Sequence, residues 1–203
     1  LAALADEADI LLKGLHRDSW QGDAVLAEMM RAFDVETTFE EAGARLRRGG
    51  KPVKDHFEWD FTECPDLAQT LAVVCAALGV RGLFSGLETL SIKETDRVSA
   101  IKNELAKTGV QFSKLPARFS SKNPEKTFYL LDGKAHWETP PVFATYGDHR
   151  MAMAFAPLAL LGAIFIENPG VVEKSYPHFW THFEQAGFTA EGHDLQPGAA
   201  QHT

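Results

Sequence analysis

The sequence predicts an α/β fold built from three copies of one unit, and two observations predict it. Small-residue-rich stretches with helical patterning recur at 1–8, 67–78 and 151–161. Each is followed by a short β-branched or leucine-rich run, at 10–12, 82–84 and 163–166. Helical and strand patterns alternating at this spacing indicate sheets covered by helices.

Each copy continues in the same order. A loop is expected at 14–23, 86–96 and 169–175, and a second amphipathic helix at 24–33, 98–107 and 176–185. Those helices carry apolar residues at helical spacing: Val25, Leu26, Met29 and Met30, then Val98, Ile101 and Leu105, then Phe179, Trp180 and Phe183. Gly109 and Gly187 follow the last two, where a left-handed cap suits glycine. Copies one and two add a strand pair, 35–39 with 44–48 and 110–113 with 127–131, across turn-rich connections at 41–43 and 116–124. The third copy lacks the pair. The reading is one domain over 1–188, with repeats over about 1–50, 51–132 and 133–188, and a frayed tail at 189–203.

Composition narrows the function. With 203 residues, 45% of them hydrophobic, the chain carries enough apolar material for a core without staples. Its 28 acidic and 20 basic residues give a net charge of −8, which argues against nucleic acid as a partner. A small cationic pocket for an anionic metabolite remains open. The most apolar stretch, 151–166, is shorter than the roughly 20 residues of a membrane span and is interrupted by Pro157 and Gly162. The first nine residues hold three acids and no basic segment, so no signal peptide is expected, and the chain starts as if in mid-helix. Cys64 and Cys75 form no C-x-x-C or Cys-His pattern, which points to a reducing, cytoplasmic compartment.

The repeat locates the candidate chemistry. Matching Leu78-Gly79 with Leu161-Gly162 sets Asp66 opposite His149, each in a first helical turn. Matching Gly109 with Gly187 sets Asp96 opposite Lys174, each expected just before a helix. Asp66, the run Lys93-Glu94-Thr95-Asp96-Arg97, the run Asp148-His149-Arg150 and Lys174 therefore gather at helix N-termini. There, unpaired N–H groups and the helix dipole favour carboxylate or phosphate. Lys93, Arg97, Arg150 and Lys174 add the cations. Each feature also has a plain structural reading. Thr95, Asp96 and Asp148 suit N-caps, Pro65-Asp66 suits a helix start, and Lys174 suits a solvated surface. Gln21-Gly22-Asp23 takes the same slot in copy one without a cation and reads as a structural cap. No dinucleotide fingerprint, Walker loop, nucleophile elbow or metal-ligand spacing is present.

Lys93-Glu94-Thr95-Asp96-Arg97, Asp148-His149-Arg150-Met151-Ala152-Met153 and Glu173-Lys174-Ser175-Tyr176-Pro177 resemble the 3-phosphoshikimate 1-carboxyvinyltransferases, or EPSP synthases. Pro65-Asp66 stands at the matching distance before the first motif. The related carboxyvinyltransferases acting on UDP-N-acetylglucosamine lack the first run and fit less well. The resemblance covers about 1–188 and the C-terminal half of such an enzyme. It implies βαβαββ units with helices packed inside short sheets, and a partner N-terminal domain across the active-site cleft that this sequence does not contain.

For the site, the resemblance implies that Asp66 takes the proton of the 5-hydroxyl of shikimate 3-phosphate. It implies that Glu94 protonates the methylene of phosphoenolpyruvate. Lys93 is then a shikimate 3-phosphate ligand, and Arg97, Arg150 and Lys174 are phosphoenolpyruvate ligands, with His149 lining the pocket. Thr89 stands where the family often has an asparagine ligand. The implied enzyme needs no metal or organic cofactor, binds neither nucleic acid nor membrane, and is monomeric at full length. The competing expectation is a non-catalytic α/β module that keeps the anion-binding helix ends.

Overall fold

The computed structural model describes residues 1–15, 25–51, 53–92, 95–116 and 126–191. Its core is organised around one helix. Ala68–Leu78 (α2) is buried on almost every side, because Ala, Val, Leu and Cys occupy most of its circumference, with Gln69 buried among them and Thr70 exposed. It packs against the helices Arg97–Ala106 (α3) and His149–Phe155 (α4), and against the strands Arg81–Ser85 (β5) and Tyr129–Asp132 (β7). Gly79 ends α2 in the left-handed conformation at φ 73°. A Cβ there would lie 3.2 Å from the Lys134 side chain, so both conformation and space select glycine.

Three small sheets accompany the helices. The first joins Ala8–Lys13 (β1), Gly43–Arg48 (β3) and Val35–Glu40 (β2) in that spatial order, antiparallel throughout. The second runs His56–Asp60 (β4), β5, β7, Gln111–Lys114 (β6). In it β4 and β5 are parallel and the other pairs antiparallel. The third is a parallel pair, Val142–Phe143 (β8) and Phe165–Ile166 (β9). The remaining helices are Leu26–Met30 (α1) and Phe179–Gln185 (α5). Aromatic rings line the core on the second sheet: Phe57 meets Phe33 at 5.1 Å, Phe84 meets Phe61 at 5.0 Å, and Phe112 meets Tyr129 at 5.5 Å.

The mixed α/β class expected from the sequence holds, and several elements differ in detail. No helix forms at 1–8. That segment is a turn until the strand begins at Ala8, with an Arg48 guanidinium donating to the Ala5 carbonyl. Two turns of helix are too short to persist alone, and pairing Ala8–Lys13 with β3 satisfies more backbone. The helix expected over 151–161 starts earlier, at His149, and becomes a 3-10 turn over Ala156–Leu160. Pro157 has no N–H and its ring clashes with the preceding turn. The helix expected over 176–185 starts only at Phe179, because Pro177 disfavours helical geometry at Tyr176. Within two of the expected loops lie 3-10 helices, Glu88–Ile92 and Pro169–Lys174. Strands β4 and β8 are additional to the expected set. The segments 16–24, 117–125 and 192–203, including Gln21-Gly22-Asp23 and most of the tail, lie outside the described residues.

Among the described residues no helix is long and apolar enough to cross a membrane. Cys64 and Cys75 are unbridged and buried, and burial pushes the Cys75 thiol far above its ordinary range. Neither thiol is expected to react with a small aromatic disulfide reagent until the chain unfolds. The check is reagent consumption with and without urea, and rapid labelling of the folded chain would contradict the placement.

Candidate functional site

Three helix starts converge. Pro65–Leu67 forms a 3-10 turn that leads directly into α2, so Asp66 stands at the head of that helix. Asp96 caps α3 by accepting the Ser99 N–H at 3.2 Å, and Arg97 is the first residue of its first turn. Asp148 caps α4 by accepting the Arg150 N–H at 2.9 Å, which places His149 and Arg150 in that first turn.

The side chains at these starts form one network. Arg97, only 2% exposed, donates from Nε to Asp148 Oδ2 at 2.5 Å and from Nη1 to Asp66 Oδ1 at 2.6 Å. Arg150 reaches the other oxygen of Asp66, Nη2 to Oδ2 at 3.1 Å. The carboxylate of Asp66 is thus bracketed by two guanidiniums, one on each oxygen, and these charge-assisted contacts are stronger than neutral hydrogen bonds. His149 Nδ1 lies 3.9 Å from Asp148 Oδ1. Asp148 is fully buried at 0%, while Asp66 and Arg150 are 27% and 31% exposed. The Arg97–Asp148 pair is therefore the floor, and Asp66, Arg150 and His149 form the accessible rim.

Of the expected site residues, the structure brings Asp66, Arg97, His149 and Arg150 together. Lys93 and Glu94 lie outside the described residues. Thr89 falls within the 3-10 helix before the run that contains them. Lys174 differs from its expected position: it ends the 3-10 helix Pro169–Lys174 rather than opening α5, and its side chain is exposed. That 3-10 helix packs against α4, so Lys174 borders the element that carries His149 and Arg150. Among the described residues two arginines and two aspartates alternate, so Asp66 and Asp148 oppose two of the four expected cations, Arg97 and Arg150.

Two site features were not anticipated. Asp148 was expected only as a cap, yet it also holds Arg97, across 51 residues of sequence. Glu104 of α3 is buried and accepts from Lys107 Nζ at 2.6 Å, the Ala144 N–H at 2.9 Å and the Tyr146 hydroxyl at 2.8 Å. The available signal was position. Glu104 shares the buried face of α3 with Arg97 and Ile101, where an acid requires partners. Loss of hydration, then the hydrogen bond and charge of Glu104, hold the Tyr146 phenol above its ordinary pKa. Among the described residues no group of three His, Cys, Asp or Glu side chains is placed to hold a metal. Open cavities of about 450 and 470 Å³ border the first sheet, lined by residues such as Asp34, Glu36 and Lys51, none of them in this network.

The sequence profile of EPSP synthase (3-phosphoshikimate 1-carboxyvinyltransferase) matches residues 1–183. The chain belongs to the EPSP synthase family. It is 44% identical over 190 residues to the 3-phosphoshikimate 1-carboxyvinyltransferase of Bacteroides fragilis, covering 93% of this chain and 44% of that protein. The enzyme of that name from Syntrophobacter fumaroxidans is 34% identical, covering 91% of this chain and 41% of its own length. The structure of EPSP synthase from Acinetobacter baumannii superposes with a TM-score of 0.71 at 21% identity, over 93% of this chain and 44% of that one. That likeness establishes the fold. This EPSP synthase-family chain spans less than half the length of the relatives it matches.

Proposed function

We propose that this chain is the C-terminal portion of a 3-phosphoshikimate 1-carboxyvinyltransferase. The complete enzyme transfers the enolpyruvyl group of phosphoenolpyruvate to the 5-hydroxyl of shikimate 3-phosphate and releases phosphate. The observation that carries this reading is the bracketing of one carboxylate by Arg97 and Arg150 at 2.6 and 3.1 Å. In the reading, the substrate carboxylate takes the place between the two guanidiniums which Asp66 fills here, and Asp66 turns to the 5-hydroxyl of shikimate 3-phosphate.

Asp66 then removes the hydroxyl proton as the oxygen bonds to C2 of phosphoenolpyruvate, and Glu94 delivers a proton to C3. The tetrahedral adduct expels phosphate as C3 gives its proton back, which restores the enol double bond. Lys93 holds shikimate 3-phosphate. Arg150 and Lys174 hold phosphoenolpyruvate, with His149 beside them. Arg97 acts from below, releasing Asp66 and meeting the incoming carboxylate, while Asp148 fixes its position.

The fold is read as one domain over 1–188 containing three partial βαβαββ copies. Support comes from β1-β3-β2 repeating the antiparallel order of β5-β7-β6, and from β8 pairing parallel with β9 as β4 does with β5. The other ligands sit on a partner domain N-terminal to this chain.

The chain alone is therefore expected to show no turnover with both substrates, and to bind phosphoenolpyruvate at about millimolar Kd, more weakly as salt rises. A coupled phosphate-release assay and salt-dependent titration check this. Turnover by the chain alone near that of a complete enzyme would contradict the two-domain reading. Phosphoenolpyruvate binding unaffected by replacing both Arg97 and Arg150 with Ala would favour a module that binds anions elsewhere.

A further inference from the structure

Arg97 and Glu104 stand seven residues apart on one face of α3, about 10 Å along the helix axis. The segment from Ala144 to Asp148 meets that face at both points. Glu104 accepts from the Ala144 N–H and the Tyr146 hydroxyl at one end, and Arg97 donates to Asp148 at the other. Between them the chain turns sharply: Tyr146 and Gly147 are both left-handed, with φ of 54° and 70°. That conformation is uncommon for a tyrosine and persists only where its surroundings hold it. Lys107 adds a third tie, donating to Glu104 at 2.6 Å and to the Val142 carbonyl at 2.7 Å.

We propose that Glu104 is a positioning residue, which through Tyr146 and Ala144 sets the turn that delivers Asp148, His149 and Arg150 to the site. The dependence runs through geometry. Asp148 can meet Arg97 and cap α4 at once only if the turn before it holds its shape, and the Glu104 carboxylate is what grips that turn from α3. A hydrogen bond to a charged acceptor is among the stronger ones, and the burial of Glu104 keeps water from replacing it. Its consequence for substrate rests on the function proposed above. Its structural content does not.

The test is the Nε–Hε resonance of Arg97 in ¹⁵N-labelled chain, compared among the parent, Glu104→Leu and Tyr146→Phe. Tyr146→Phe removes one oxygen from a side chain on a residue 40% exposed and does not threaten folding. Leu131→Ala serves as the reference for simple destabilisation, since Leu131 is core and lies outside the network. Both staple variants are expected to shift the Arg97 Nε–Hε resonance and to speed its exchange with solvent by about tenfold or more. Leu131→Ala should lower Tm and leave the resonance in place. An Arg97 resonance in Tyr146→Phe that matches the parent in shift and exchange would overturn the proposal. So would an equal change in Leu131→Ala. Phosphoenolpyruvate affinity, measured on the same samples, should weaken in the staple variants. Failure of the parent chain to bind it would count against the proposed function and leave the resonance comparison decisive for Glu104.

Discussion

Arg97→Met is expected to lower the unfolding free energy of this chain by about 3–5 kcal/mol, the cost of breaking a buried ion pair from one side. Methionine fills much of the vacated volume, so the loss is electrostatic rather than a cavity. Asp148 is fully buried and, among the described residues, would keep the Arg150 N–H at 2.9 Å and a distant His149 ring to offset its charge. Adding Asp148→Asn to the same chain should restore most of the loss, because asparagine still caps α4 and carries no charge to strand. Urea unfolding of the single and double variants, with m-values compared, checks this. A single-variant loss under about 1 kcal/mol, the range of exposed pairs, would mean the pair is solvated and the floor of the site is wrongly placed.

The second large effect is catalytic. In the complete enzyme, Asp66→Asn and Glu94→Gln should each reduce kcat by about 10²-fold or more, with modest change in KM, if they move protons. Asparagine keeps an oxygen for Arg97 or Arg150 but has no basic carboxylate for the hydroxyl proton. The informative quantity is the division between kcat and KM. A loss confined to KM would make Asp66 a binding residue that only organises the two guanidiniums.

Much of this arrangement was legible from the residues. The strands at 35–40 and 43–48, the helix beginning near 97, and the glycine ends at Gly109 and Gly187 follow from short-range patterning. Asp66, Arg97 and Arg150 were placed together because equivalent points of a repeat fall at equivalent helix starts. What patterning missed depends on contacts distant in sequence. The segment 1–8 has helical composition, but its neighbour pairs with a strand some 30 to 40 residues further along. Asp148 and Glu104 read locally as a cap and a helical acid. Their partners are 51 residues away for Arg97 and 40 and 42 residues away for Ala144 and Tyr146. Counting cations along the chain likewise does not reveal which acids fold against them, as Asp66 and Asp148 do against Arg97 and Arg150.

The most direct test joins this chain to the portion of the Bacteroides fragilis relative that it does not cover, placed ahead of it, and follows the products by ³¹P and ¹H NMR. The account predicts that phosphate and 5-enolpyruvylshikimate 3-phosphate appear in equal amounts, only when shikimate 3-phosphate and phosphoenolpyruvate are both present, and that Asp66→Asn abolishes most of the signal. A folded fusion that binds both substrates yet forms no product, or that releases phosphate from phosphoenolpyruvate without shikimate 3-phosphate, would contradict it.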